Sequence, residues 1–210
     1  MTTRIKQIRD ATATKERILT AAKIEFAGKG LAGARVDAIA ARANANKRMI
    51  YHYFQNKESL FTAVLEQAYL DIRFAEQKLL LDHLDPGEAL ETFVRFTWQY
   101  YIDHPEFITL VNSANLHQAR HLEESEQVRL SSRQLVNMIR SILDRGASSK
   151  IFRAGIDPVH LNITIAAIGY YYLTNRYTGT ILFERDLMSE QALEERLAFN
   201  IDTIMQSVLA

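Results

Sequence analysis

An all-α protein of about nine helices, a three-helix head followed by a larger helical body, is predicted by three features of the sequence. Apolar residues recur at spacings of three and four almost throughout, the period of helices with one buried face. No segment alternates strictly at two, as a half-buried strand would. Only 3 Pro and 8 Gly interrupt the 210 residues, and several fall where a helix should start or stop.

Charge divides the chain. Residues 1–56 hold 11 Lys and Arg against 4 Asp and Glu, a net of +7, and the remainder carries 14 against 21, a net of −7. A neutral total thus hides a basic quarter and an acidic body, which points to a polyanionic partner for the first part. Cysteine is absent, which removes disulfides, thiol nucleophiles and cysteine-ligated metal sites. The N-terminus is polar and basic and lacks the apolar core of a signal peptide. The longest apolar run, around Leu161 to Leu173, is broken by Asn162 and Thr164 and is too short to span a bilayer. A soluble, cytoplasmic protein with no membrane partner is expected.

Taken in order, residues 1–13 read as a flexible basic arm carrying Arg4, Lys6 and Arg9. A first helix from about Thr14 to Lys29 buries Ile18, Ala22 and Phe26, and Gly30 is placed to end it. In the second, Val36, Ile39 and Ala40 form one stripe. Ala43-Asn44-Ala45-Asn46 then breaks the pattern: Asn44 tolerates φ > 0 at a corner, and Asn46 is a good N-cap. In the third, Lys47 to Phe54, Ile50 and Phe54 turn inward while Lys47, Arg48, Tyr51 and His52 turn outward. Asn56 caps a long fourth helix striped with Leu60, Phe61, Val64, Leu65, Ala68 and Ile72.

Asp85-Pro86-Gly87-Glu88 has the residues of a capped helix start. The helix that follows runs to about Asp103 and is rich in rings: Phe93, Phe96, Trp98, Tyr100 and Tyr101. His104-Pro105 breaks it, and the next reaches His117 or beyond. Another spans roughly Ser125 to Arg145, ended by Gly146. Asp157-Pro158 opens one that reaches about Thr178, and Ser189 caps the last, with Leu193, Leu197, Ile201, Ile204 and Val208 inward.

Two short helices joined by a tight turn, the second crowded with donors, are what a helix-turn-helix needs to enter a DNA major groove. An ordinary helical corner with a solvated face is the plain alternative, and the +7 footprint favours DNA. Lys47 and Arg48 stand at the end of the third helix that points at base edges, and Arg48 suits a bidentate contact to guanine O6 and N7.

Thr14 through Phe61 resembles the DNA-binding domain of TetR-type (tetracycline-repressor-like) transcriptional regulators. The matching residues are Ile18, Ala21-Ala22, Phe26-Ala27, Gly30, Val36, Ile39-Ala40, Ala43, Tyr51, Tyr53-Phe54, Lys57, Leu60 and Phe61. Three positions depart from the pattern. Ala43-Asn44-Ala45 replaces Ala-Gly-Val in the turn, and Asn46 replaces a hydroxyl cap. Ala34-Arg35 stands where a hydroxyl residue is usual, with Arg35 able to supply that phosphate contact. The resemblance implies that Tyr51, His52 and Lys57 touch phosphates. It also implies a DNA-binding domain at 14–56 and a ligand-binding and dimerisation domain at 57–210. In a homodimer, the last two helices, about 157–178 and 189–209, would pair across the interface.

The body offers apolar walls with interspersed polar groups, as a small-molecule site requires. The candidates are Trp98, Tyr101, Phe107, Asn112, Asn115, His117, Tyr171, Asn175 and Arg176, with His104 and Tyr170 beside them; many of these rings would also serve simply as core. His117 and His121 stand at i, i+4 with Glu124 near, a spacing too weak to assign a metal. No nucleophile–base set and no phosphate loop is present, so an enzyme is not expected. The expectation is a dimeric, ligand-responsive repressor of a palindromic operator, with no cofactor beyond a small effector. A helical enzyme or protein-interaction module of small aromatic metabolism is the alternative.

Overall fold

The computed structural model describes the backbone from Thr2 to Ala210 and the side chains from Ala11 onward. Arg4, Lys6 and Arg9, the basic side chains expected in the arm at 1–13, therefore lie outside the described residues. Ten α-helices occur among the described residues: α1 (Thr2–Gly33), α2 (Val36–Arg42), α3 (Lys47–Phe54), α4 (Lys57–Gln77), α5 (Pro86–Asp103), α6 (Pro105–Leu116), α7 (Glu126–Ser148), α8 (Pro158–Thr174), α9 (Arg176–Leu182) and α10 (Glu190–Val208). The chain divides into two units, residues 1–69 with 106–128, and residues 70–105 with 129–210.

In the first unit, the helical path of α1 is broken at Gly30, whose φ of 65° and ψ of 176° suit a residue without a side chain. Ser113 of α6 secures that break: its hydroxyl accepts the Leu31 N–H at 3.2 Å. Ile18, Ala22 and Phe26 are buried together with Ile39, Ile50, Leu60 and Phe61. Phe26 and Phe61 meet edge to face at 5.0 Å, a favoured ring geometry. The expected stripe of α4 is buried from Leu60 to Ala68 in this unit, and its last residue, Ile72, is buried in the second.

In the second unit, α5 packs against α8 and α10. Phe93, Ile139, Ile142, Phe152, Ile165, Ile204 and Val208 belong to one core. Asp157 caps α8 by accepting the Val159 and His160 N–H groups at 2.7 and 3.3 Å, and Ser189 caps α10 through the Ala192 N–H.

Three boundaries and one cap differ from the sequence expectation. The helix expected from Thr14 is already helical in backbone at Thr2. Asp85 stands at the N-cap of α5 but makes no side-chain cap bond, so Pro86 at the first position carries that start. Gly146 lies inside α7 rather than ending it: a Cβ there would sit 2.0 Å from the Phe152 ring. The helix expected from Asp157 to Thr178 is two, since the backbone leaves helical geometry at Asn175 (φ −97°, ψ 13°), which explains ten helices instead of nine.

Candidate nucleic-acid interface

The turn between α2 and α3 is built by local chemistry. Ala43 ends α2, Asn44 takes φ 47°, and the Asn46 side chain accepts the Met49 N–H at 2.9 Å. Both asparagines therefore do the work expected of them. Arg17 of α1 braces the corner from outside by donating Nε–H to the Ala43 carbonyl at 3.2 Å. Buried Glu25 holds the start of α2, accepting the Arg35 N–H at 3.3 Å and the Lys29 ammonium at 2.9 Å. The Lys29 bond holds its carboxyl below the usual carboxylate range, against the opposing effect of burial.

α3 is two-faced. Ile50 and Phe54 are buried, while Lys47, Arg48, Tyr51 and His52 are exposed. Tyr51 and His52 lie one turn beyond Lys47 and Arg48, so the four side chains share the outer surface. Lys47 Nζ lies 3.0 Å from the Asp37 carboxylate, and that bond raises its pKa. Arg48 has no ion-pair partner among the described residues. The His52 ring stands edge-on to Tyr53 at 5.3 Å. Met49 and Tyr53 are half-buried, consistent with packing roles.

Arg35 is exposed beside this face, immediately before α2. Lys57 differs from the other basic residues. It is half-buried, and its ammonium donates to the Ala32 and Ala34 carbonyls at 3.4 and 3.3 Å. Its first task is to close the α1–α2 link. Sequence reasoning missed this role, together with those of Arg17, Glu25 and Asp37, because each depends on a partner remote in the chain or on the neighbouring helix. Asp37 ten residues before Lys47, both helix-initial, was the one available signal.

The expected ligand residues fall in both units. Phe107, Asn112, Asn115 and His117 belong to the first unit; Trp98, Tyr101, Tyr171, Asn175 and Arg176 belong to the second. Trp98, Tyr101 and Phe107 are buried core rings, packed on Tyr172, Tyr170 and Tyr69 respectively. Asn112 is half-buried, and the Asn115 amide donates to the Val111 carbonyl of its own helix. Arg176 donates to the Leu173 carbonyl at 2.6 Å and lies over the Tyr177 ring, so it closes the end of α8. Tyr171 and Asn175 do line one cleft, of about 480 Å³, with Leu182, Phe183 and Arg196.

His117 lines another cleft with Lys57, Arg120 and His121. It is not on a shared helical face with His121: α6 stops at Leu116, and the chain reverses through Gln118 and Ala119, both with positive φ. The two rings meet edge-on at 6.1 Å. His121 is held below its usual pKa by burial and by the His117 charge. Among the described residues, no three His, Asp or Glu side chains gather as a metal site would require.

Comparison with known proteins places these features. Residues 18–64 match the family model "Bacterial regulatory proteins, tetR family", and residues 86–204 match "Tetracyclin repressor-like, C-terminal domain". The HTH-type transcriptional repressor NicS of Pseudomonas putida is 39% identical over 198 residues, spanning 94% of this chain and 93% of that protein. Among solved structures, a transcriptional regulator of Streptomyces coelicolor, SCO4942, superposes with a TM-score of 0.69 at 23% identity, covering 93% of this chain and 98% of that one. AibR, solved with isovaleryl coenzyme A and operator DNA, superposes with a TM-score of 0.68 at 16% identity, covering 90% and 97%. At those identities the two structures establish the fold alone.

Proposed function

Because the chain belongs to the tetR family of bacterial regulatory proteins, we propose that it is a ligand-responsive repressor that grips a palindromic operator as a homodimer. It is a helix-turn-helix transcriptional regulator, not an enzyme. The observation that carries the reading of its site is the outer face of α3: Lys47, Arg48, Tyr51 and His52 exposed opposite buried Ile50 and Phe54. In the major groove, Arg48 reads a guanine and Lys47 reaches base edge or phosphate, while Tyr51, His52 and Arg35 hold phosphates and fix register. The Lys57 ammonium has a third donor left for a phosphate at the start of α4.

The dimer is assembled from α8 and α10, extended by α9. Val159, Ile163 and Tyr171 are exposed at helical spacing on α8, followed by Ile181, Leu182 and Phe183, and by Phe199 on α10. Apolar surface of that extent is what a subunit interface covers. No helix among the described residues is long and apolar enough to cross a membrane, which suits a regulator working in the cytoplasm on DNA.

Release follows from linkage: a ligand that prefers the arrangement unable to span two half-sites weakens DNA binding, and DNA weakens the ligand equally. α6 is fixed to the head by Ser113 at the α1 break and by the Lys23–Glu106 ion pair at 3.0 Å. A shift of α6 therefore acts on α1. AibR was solved with both an acyl coenzyme A and operator DNA, which supports the same two-ligand logic here. Selection of bound duplexes from a pool of genomic fragments tests the function. The expected product is a palindrome with half-sites about 10–10.5 bp apart or a multiple of that. Enrichment of no sequence, or of single asymmetric sites, contradicts it.

A further inference from the structure

The end of α4, the turn at Leu81–His83 and the middle of α7 enclose a cleft of about 260 Å³ in the second unit. Leu81, Leu135 and Met138 supply apolar wall, and Arg73, Glu76 and Gln134 supply polar groups. None of the residues expected from sequence to bind a ligand lies here.

Arg73 Nη1 is 3.1 Å from the buried Glu76 carboxylate, yet Arg73 Nε is buried with no hydrogen-bond partner. In a guanidinium, Nη1 lies on the Cδ side. The Nε–H and Nη2 groups therefore form the opposite edge, with two parallel donors. Such an edge matches the two oxygens of a carboxylate. A buried donor without an acceptor is costly and needs a reason. The acidic groups of the cleft are already engaged: Glu76 by Arg73, and Asp82 as acceptor from the Ser141 hydroxyl at 3.4 Å. His83 stands exposed at the same turn. Among the side chains that line the cleft, the buried group left unpaired is the Arg73 Nε–H.

We propose that this cleft is the effector site and takes a small carboxylate, its two oxygens on the Nε–Nη2 edge of Arg73 and its apolar part against Leu81, Leu135 and Met138. The assignment rests on the reading of the protein as a ligand-responsive regulator. Burial pushes the Glu76 carboxyl up to about 7, with Arg73 opposing, so near neutral pH it repels an incoming anion less than a fixed charge would. Arg73 also shares α4 with Lys57, whose ammonium holds the α1–α2 link, so a ligand on Arg73 pulls on a helix that begins at the DNA-binding head. Arg145 and Arg196 have an unpartnered Nε as well, but both Arg145 Nη groups already donate to the Leu81, Asp82 and Leu84 carbonyls, and the Arg196 cleft includes Leu182 and Phe183 of the proposed dimer face.

Calorimetric titration of the full chain with benzoate and hexanoate, set against benzylamine and hexylamine, tests the site. The carboxylates bind and the amines do not. Arg73→Lys keeps the charge but loses the planar fork, and it weakens carboxylate binding at least tenfold. Gln134→Trp fills the cleft from an exposed position and abolishes binding, which keeps the test decisive should Arg73→Lys not fold. Tighter binding of the amines, equal carboxylate binding in both variants, or no carboxylate binding to the unaltered chain in the millimolar range overturns the site. A chain that still binds and releases its operator under those results loses only this site; one that never binds operator loses the reading beneath it.

Discussion

In the proposed interface, Asp37 sets the terms on which Lys47 would reach DNA. Their ion pair is exposed at both ends, so it adds little to stability, but it withholds one positive charge from the groove. Asp37→Asn should tighten binding to every duplex alike and steepen the salt dependence of log K by up to about 0.9. Anisotropy titrations at several salt concentrations measure that slope, and an unchanged slope would remove Lys47 from the interface. Glu76 makes a second residue-scale prediction. Its carboxyl, raised from 4.5 to about 7 by burial, binds its proton more tightly folded than unfolded. Its contribution to stability is therefore full below about pH 4.5 and is lost as pH rises towards 7, by up to about 3 kcal/mol. Glu76→Gln should flatten that decline in urea unfolding at pH 5 and pH 8. At this scale the sequence was legible where chemistry is local: Asn44 and Asn46 act within their own turn. At Lys57 the resemblance implies a phosphate contact, but its two carbonyl partners lie more than twenty residues back and leave no local signal. The Arg73–Glu76 pair stands at i, i+3 on α4, and only tertiary packing buries it.

Helix starts were easier to read than helix ends. Asp157-Pro158 and Ser189 carry their caps beside them, and α8 and α10 begin where those residues stand. Endings at Leu116 and Asn175 depend on where the chain must turn to pack, which no short window of sequence records. Gly146 shows the same limit from the other side. It looked like a terminator but serves as a notch for Phe152. Gly146→Ala forces a methyl group into that ring and should cost about 1–3 kcal/mol, read as a lower urea midpoint with an unchanged slope. An unchanged midpoint would mean that Phe152 moves aside without penalty.

Across the whole molecule, charge asymmetry and the spacing of apolar residues announced the architecture, while the cleft beside Arg73 holds none of the residues that the sequence singled out. Aromatic residues signal burial, and most of those singled out are core. Dimerisation ties the two ends of the account together, since each copy supplies one α3 face. Ile163 is 56% exposed on α8. Ile163→Asp should sediment as a monomer and lose operator affinity by more than tenfold, as the second half-site no longer adds its grip. A dimer that persists in this variant would move the interface elsewhere.

The most direct measurement is the salt dependence of binding to the selected operator and to a scrambled duplex, for the unaltered chain and for Lys47→Ala/Arg48→Ala. The outer face of α3 as the reading surface predicts a clear preference for the operator in the unaltered chain, and in the double variant near-equal, weaker binding to both duplexes with a shallower salt slope. Unchanged preference and unchanged slope in the double variant would contradict it.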